Sequence, residues 1–185
     1  MEETQRCSCC IIAPSSFDHL PRRRSDAEVV RAIIKAEIYS LVAQGVTSYR
    51  SDLSYGLNLL AGLGVLAAQE DDHPEIKLIV HVPYKKLIHK DYNLYLSALE
   101  DASEIIYCAD EYSPTIYHKN REAMLSQSEI AFFVNPSGTL LRLVKLALDQ
   151  GKQVIVLIAD GETATWVRDV KGLSDMCSGG QRPAP

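Results

Sequence analysis

Short apolar runs alternate with helix-periodic segments along almost the whole chain, and that alternation admits few folds. Residues 7–13 read as a first strand. Ser25-Asp26 then caps a helix whose apolar positions Val29, Val30, Ile33, Ile34, Ile38, Leu41 and Val42 recur at spacings of three and four, ending at Gln44-Gly45. A second strand is predicted over 46–50. Ser51-Asp52-Leu53-Ser54 follows and supplies caps for a helix bearing Leu57, Leu59, Leu60, Leu63, Val65 and Leu66. Residues 76–83 form a continuous apolar run, the pattern of a strand buried on both faces of a parallel sheet. Helices over 91–101, 115–126 and 140–150 and strands over 104–108, 130–134 and 154–158 complete the series. Strands alternating with helices at this spacing predict an α/β fold, a Rossmann-like three-layer sandwich with a mostly parallel central sheet. One domain spans 7–160. Residues 161–185, with Gly161, Gly172, Gly179-Gly180 and a Pro-rich end, read as a C-terminal extension, partly mobile beyond a short helix.

Composition narrows the function classes. A chain of 185 residues with 46% hydrophobic and 23% charged residues has enough apolar side chains for one ordinary core. Its net charge of −5 argues against a broad nucleic-acid face, which needs clustered Lys and Arg; the one dense basic run is Arg22-Arg23-Arg24. No run approaches the roughly 18 consecutive apolar residues of a membrane span. The start Met1-Glu2-Glu3-Thr4 lacks the charged-then-apolar pattern of an export signal. Five cysteines, an odd count, fit a reducing cytoplasm better than a disulfide framework. Cys7, Cys9 and Cys10 lack a second ligand pair at zinc spacing, so they read as small hydrophobes of the first strand.

Ligands of parallel α/β sheets collect at the carboxyl ends of the strands, which directs attention to residues 13–25, 50–56, 83–91, 109–121 and 135–139. In the last of these, Asn135-Pro136-Ser137-Gly138-Thr139 joins an apolar strand to a helix. Unpaired N–H groups at such a junction converge on one point, where a phosphate can sit. After the second strand, Ser51, Asp52, Ser54 and Gly56 offer hydroxyls and amides for a phosphate or ribose. Plain helix capping explains Ser51, Asp52 and Ser54 equally well, whereas Gly56 so early in a helix costs about 1 kcal/mol relative to Ala. Asn120 and Arg121 fall on neighbouring faces of one helical turn, suited to ribose and phosphate. Tyr55, Tyr84 and Tyr112 are candidates to stack on a nucleobase. Asp52, Asp110 and Glu111 are the carboxylates nearest the ligand edge. Neither a Gly-x-Ser-x-Gly elbow nor a Gly-x-x-x-x-Gly-Lys loop is present, and the five histidines have no metal or triad spacing.

Taken together, these loops resemble the YpsA-like branch of the SLOG superfamily, a Rossmann-like group that includes the LOG phosphoribohydrolases and the DNA-processing protein DprA. The branch runs strand, Ser-Gly-x-Ala-x-Gly-x-Asp, helix, an apolar strand ending in Pro-Tyr, a Tyr followed by an Arg-Asn-like pair, and a Gly-Gly-Thr turn. The corresponding residues here are Ser51 to Asn58, Ile79 to Tyr84, Tyr117 to Arg121 and Ser137-Gly138-Thr139, across residues 7–158. Departures fall at Asp52 and Ser137, where glycines are expected, and at Asn58, where an acid is expected; the Gly-His-Arg-Pro of the first loop is replaced within Ala13 to Pro21. The catalytic Glu of the phosphoribohydrolase motif corresponds to Arg142.

The resemblance implies binding of a nucleotide or nucleotide-derived small molecule at the carboxyl edge of the sheet, without evident catalysis. Contacts are expected from Ser51, Asp52, Ser54, Gly56, Tyr84, Asn120, Arg121, Pro136, Ser137, Gly138 and Thr139. No cofactor or metal is implied, homo-oligomerisation through a helix face is expected, and nucleic acid and membrane are not expected partners. Two alternatives stand beside this reading: N-glycosidic hydrolysis of a nucleoside monophosphate, and a degenerate scaffold acting through protein contacts.

Overall fold

The structure, a computed structural model, describes residues 7–15, 24–87, 92–159 and 163–178. The elements in chain order are β1 (Cys7–Ile12), α1 (Arg24–Ala43), β2 (Val46–Ser51), α2 (Leu57–Asp71), β3 (Lys77–Tyr84), α3 (Tyr92–Glu100), β4 (Glu104–Ala109), α4 (Ile116–Ser126), β5 (Ile130–Val134), α5 (Thr139–Asp149), β6 (Gln153–Ala159), β7 (Ala164–Val167) and α6 (Val170–Cys177). They form a seven-stranded sheet in the order β4-β3-β2-β1-β5-β6-β7. Every pairing is parallel except β6 with β7.

Alternation along the strands sends neighbouring side chains to opposite faces. Cys9 and Ile11 of β1 enter a core with α1, α2 and α3 that also holds Ile34, Ile38, Tyr49, Leu57, Val80 and Phe132. Cys10 and Ile12 enter a second core with α4, α5 and α6, together with Met124, Phe133, Leu143 and Leu173. Both central thiols are fully buried; burial holds their pKa above the ordinary value, that of Cys10 at about 12. Among the described residues no helix is long and apolar enough to cross a membrane.

Three local expectations are corrected. The first helix begins at Arg24, so Ser25-Asp26 lies within it rather than before it. The second helix has Gly56 as its N-cap, with no side-chain capping bond; the backbone there takes φ 93°, ψ −132°, a conformation that glycine alone adopts without strain. Beyond residue 160 the sequence pattern showed a short helix but not β7, whose four residues are too few to display alternation. Trp166 and Arg168, in and just after this strand, tie it to α1 through the buried Glu37: Trp166 Nε1 donates to its carboxylate at 3.0 Å and Arg168 Nη2 at 2.6 Å. Arg22 and Arg23 lie outside the described residues.

Candidate functional site

The chain winds outward from β1 to β4, then returns with β5 to the opposite side of β1. The topological switch point therefore lies between β1 and β5, where a crevice opens at the carboxyl edge of an open α/β sheet. Residues 13–15 after β1 and the turns after β2 and β5 lie at that edge.

The turn after β2 is folded inward. Ser51, Asp52, Ser54 and Asn58 are all buried. One Asp52 oxygen accepts from the Ser54 amide at 2.9 Å and from the Ser54 hydroxyl at 2.6 Å. Ser51 Oγ accepts from the Leu53 amide at 3.1 Å, holding Leu53 at φ 46° although it is neither glycine nor asparagine. The Leu53 side chain is fully buried against α2 where Gly62 lies: a Cβ on Gly62 would come within 2.1 Å of Leu53 Cδ2. Asn58, where the family resemblance expects an acid, bridges to β1. Its Nδ2 donates to the Ala13 carbonyl at 2.7 Å and its Oδ1 accepts from the Ala13 amide at 2.8 Å. An acid would lose the first of these bonds, so the departure fits the local geometry.

Arg121 of α4 connects this turn to the switch point. Its Nε donates to the second Asp52 oxygen at 3.2 Å, and its Nη2 donates to Ser15 Oγ at 2.9 Å and the Ala13 carbonyl at 3.4 Å. The pair is largely dry, with side-chain exposures of 12% for Arg121 and 1% for Asp52. Preceding it, Asn120 is fully buried against the sheet and donates to the His81 carbonyl at 2.9 Å, while its Oδ1 has no partner among the described residues. His81 is buried beside Arg50, whose Nη1 lies 3.3 Å from Nε2; burial, then this cation, pushes the imidazole down to about 4 from 6.5.

The turn after β5 is open. Asn135 takes φ 46° and clamps the end of β6, donating to the Ala159 carbonyl at 2.7 Å and accepting from its amide at 2.8 Å. Pro136 is buried, Ser137 half-buried, and Gly138 and Thr139 exposed. Gly138 is the N-cap of α5, with φ 53° and no side-chain capping bond, and a Cβ there would meet nothing within 4 Å. Thr139 and Arg142 of α5 face Tyr117, His118, Arg121 and Glu122 of α4 across a groove of about 570 Å³. Two guanidinium groups from different helices thus border the same concavity.

This architecture has a solved counterpart. The chain is similar to the molybdenum cofactor carrier protein of Chlamydomonas reinhardtii, with a TM-score of 0.50 and 15% identity over 82% of this chain and 76% of that one. The likeness is one of fold. No family model matches the chain, and no curated protein is significantly similar to it.

The expected contact residues fall into separate groups. Asp52 and Ser54 meet Arg121 in the buried network, which also receives Ser51 through its bond to the Asn58 carbonyl at 3.3 Å. Gly56 serves the start of α2, Pro136 is covered, and Asn120 packs on β3. Arg121 and Thr139 both line the groove. Tyr84, at the end of β3, reaches it indirectly, its ring centroid 6.4 Å from that of Tyr117 and 5.7 Å from that of Tyr112. His118 and Arg142 line the groove without being among the contacts expected from sequence. The missed signal was helical spacing: 118, 121 and 122 on one helix and 139, 142, 143 and 146 on the next mark two facing stripes.

Proposed function

We propose that this chain is a binding module for a nucleotide or nucleotide-derived small molecule, a divergent member of the YpsA-like branch of the SLOG superfamily. The phosphate sits in the groove between α4 and α5, against Arg121, Arg142 and the Thr139 amide that opens α5, while the next two amides already donate to Ser137 and Gly138. The observation that carries this reading is the convergence of two arginines and an open helix N-terminus on one concavity at the switch-point edge. Tyr117, braced edge-on by Tyr84, supplies an aromatic wall for a base. The molybdenum cofactor carrier of similar fold is named for carrying a small molecule, which is consistent with ligand binding as the task of this architecture.

Turnover is not part of the proposal. Asp52 is engaged by Arg121 and Ser54, and Asp110 and Glu111 are exposed partners of Lys85 and Lys86. Arg142, where the resemblance to phosphoribohydrolases places a Glu, adds positive charge in place of an acid or base. Of the contacts expected from sequence, Arg121, Gly138 and Thr139 are retained as ligand contacts, while Ser51, Asp52 and Ser54 shape the wall behind Arg121.

Calorimetric titration with adenosine and guanosine monophosphates, against the free nucleosides and inorganic phosphate, tests the reading. A monophosphate binds, and exposed Arg142→Glu weakens binding about tenfold or more, as expected for loss of a charge-assisted phosphate contact, without lowering thermal stability. No binding by any monophosphate, or binding indifferent to Arg142→Glu, refutes it. Release of free base during incubation would move the assignment to N-glycosidic hydrolysis.

A further inference from the structure

The outer edge of β4 lies at the end of the sheet, apart from the groove between α4 and α5. β4 pairs with β3 on one side and, among the described residues, with no strand on the other. The Ser103 amide donates to the Leu78 carbonyl at 2.9 Å and the Ala109 carbonyl accepts from the Lys85 amide at 3.2 Å, so the backbone of 103 and 109 faces β3. Strand alternation turns residues 105 and 107 the same way and points the N–H and C=O groups of Glu104, Ile106 and Cys108 outward. Register with β3 is constant from Ile79↔Glu104 to Tyr84↔Ala109, leaving the edge straight. Within Glu104–Ala109 the one charge is Glu104, and neither Pro nor Lys blunts the strand. Ile105 is 38% and Tyr107 47% exposed, large apolar side chains on a solvent-facing edge.

We infer that β4 is the dimerisation strand of this protein, pairing antiparallel with β4 of a second copy across a two-fold axis and extending the sheet through both molecules. Directly opposed residues of an antiparallel pair share a sheet face, and the three outward-pointing residues all bond only when Ile106 faces Ile106. Glu104 then faces Cys108 of the second copy. Ile105 faces Tyr107 of the second copy in the closer, non-hydrogen-bonded position, a favourable β-branched and aromatic pair, and the two-fold makes this happen twice. The strand is self-complementary in both hydrogen bonds and apolar pairing, which favours a second copy over an unrelated strand.

Charge supports the antiparallel sense. The start of β4 is acidic, with Glu100, Asp101 and Glu104, while its far end carries exposed Lys85 and Lys86 beside Asp110 and Glu111. Antiparallel pairing sets each acidic start against an end whose two lysines are balanced by Asp110 and Glu111. Parallel pairing would superimpose the acidic ends. A single strand pair is a small interface, so the association is concentration-dependent.

Sedimentation equilibrium of the full chain from micromolar to millimolar concentration tests this. The mass rises from 20.5 kDa to twice that value, and Ile105→Lys, at a position already exposed, keeps it at 20.5 kDa with an unchanged circular dichroism spectrum. Mild oxidation adds a test of register. Ile106→Cys in a Cys108→Ser background forms a covalent dimer, since the paired Cα atoms lie about 5.5 Å apart, whereas Glu104→Cys in the same background does not. A wild-type chain that stays monomeric overturns the inference, as does a dimer that survives Ile105→Lys or a covalent dimer through Glu104→Cys in the Cys108→Ser background.

Discussion

Replacing Arg121 by Met tests whether the turn after β2 is held by a buried ion pair. Met keeps most of the aliphatic stem and removes the guanidinium. In the native chain Asp52 is 1% exposed, with one oxygen satisfied by Ser54 and the other by Arg121 Nε. Breaking a buried pair by removing one partner costs about 3–5 kcal/mol, because the remaining charge stays desolvated. The two Ser54 bonds persist and Arg121 is itself 12% exposed, so the lower end, about 3 kcal/mol, is expected. With a urea slope of about 2 kcal/mol/M, the unfolding midpoint falls by roughly 1.5 M at constant slope. Urea titration followed by circular dichroism, without added ligand, reads this directly. Asp52→Asn combined with Arg121→Met recovers part of the loss, since neither charge then remains buried. A fall of less than about 0.5 M for Arg121→Met would mark an ordinary surface arginine and rule out a buried ion pair as what holds this turn.

Gly62→Ala costs about 1–3 kcal/mol of unfolding free energy by overpacking, because its Cβ collides with the buried Leu53 side chain; truncating Leu53 to Ala in the same chain offsets that collision, and denaturant midpoints of both variants check it. Asn135→Ala loses the paired bonds to Ala159 and lowers stability by about 2 kcal/mol, seen as a fall of roughly 4–8 °C in the calorimetric midpoint. His81 binds its proton less readily folded than unfolded, so the stability it supports is full above pH 6.5 and is lost as pH falls from there toward 4. Midpoints across that window decline, and His81→Gln flattens the decline; an equally steep profile in that variant would show that other groups govern it.

The fold was legible because its signal is periodic. Continuous apolar stretches such as Ile130–Val134 and helices with three-and-four spacing survive any local detail, and the helices after β1 to β5 were all marked. Short or conformationally special elements were less visible. β7 has four residues, and nothing in its pattern announces an antiparallel partner for β6. Gly56 was singled out for its cost in a helix, yet its φ of 93° at the N-cap is a property of the chain path. Ser51, Asp52 and Ser54 illustrate a deeper ambiguity. A hydroxyl-rich turn at a strand end has the same sequence whether its donors face a ligand or each other, and only packing decides. Here Leu53 drives its side chain into the gap over Gly62, and Arg121 closes on Asp52. Arg142 shows the converse: marked as a departure from the phosphoribohydrolase pattern, it lines the groove with Arg121.

In the proposed complex a phosphate is seated between α4 and α5. Amide and arginine Nε resonances followed by NMR during titration with a nucleoside monophosphate test it most directly. Saturable shifts at Gly138, Thr139, Arg121 and Arg142 that need the phosphate and are absent with the free nucleoside are the predicted result. Shifts confined to other residues, or equal shifts with the free nucleoside, would contradict it.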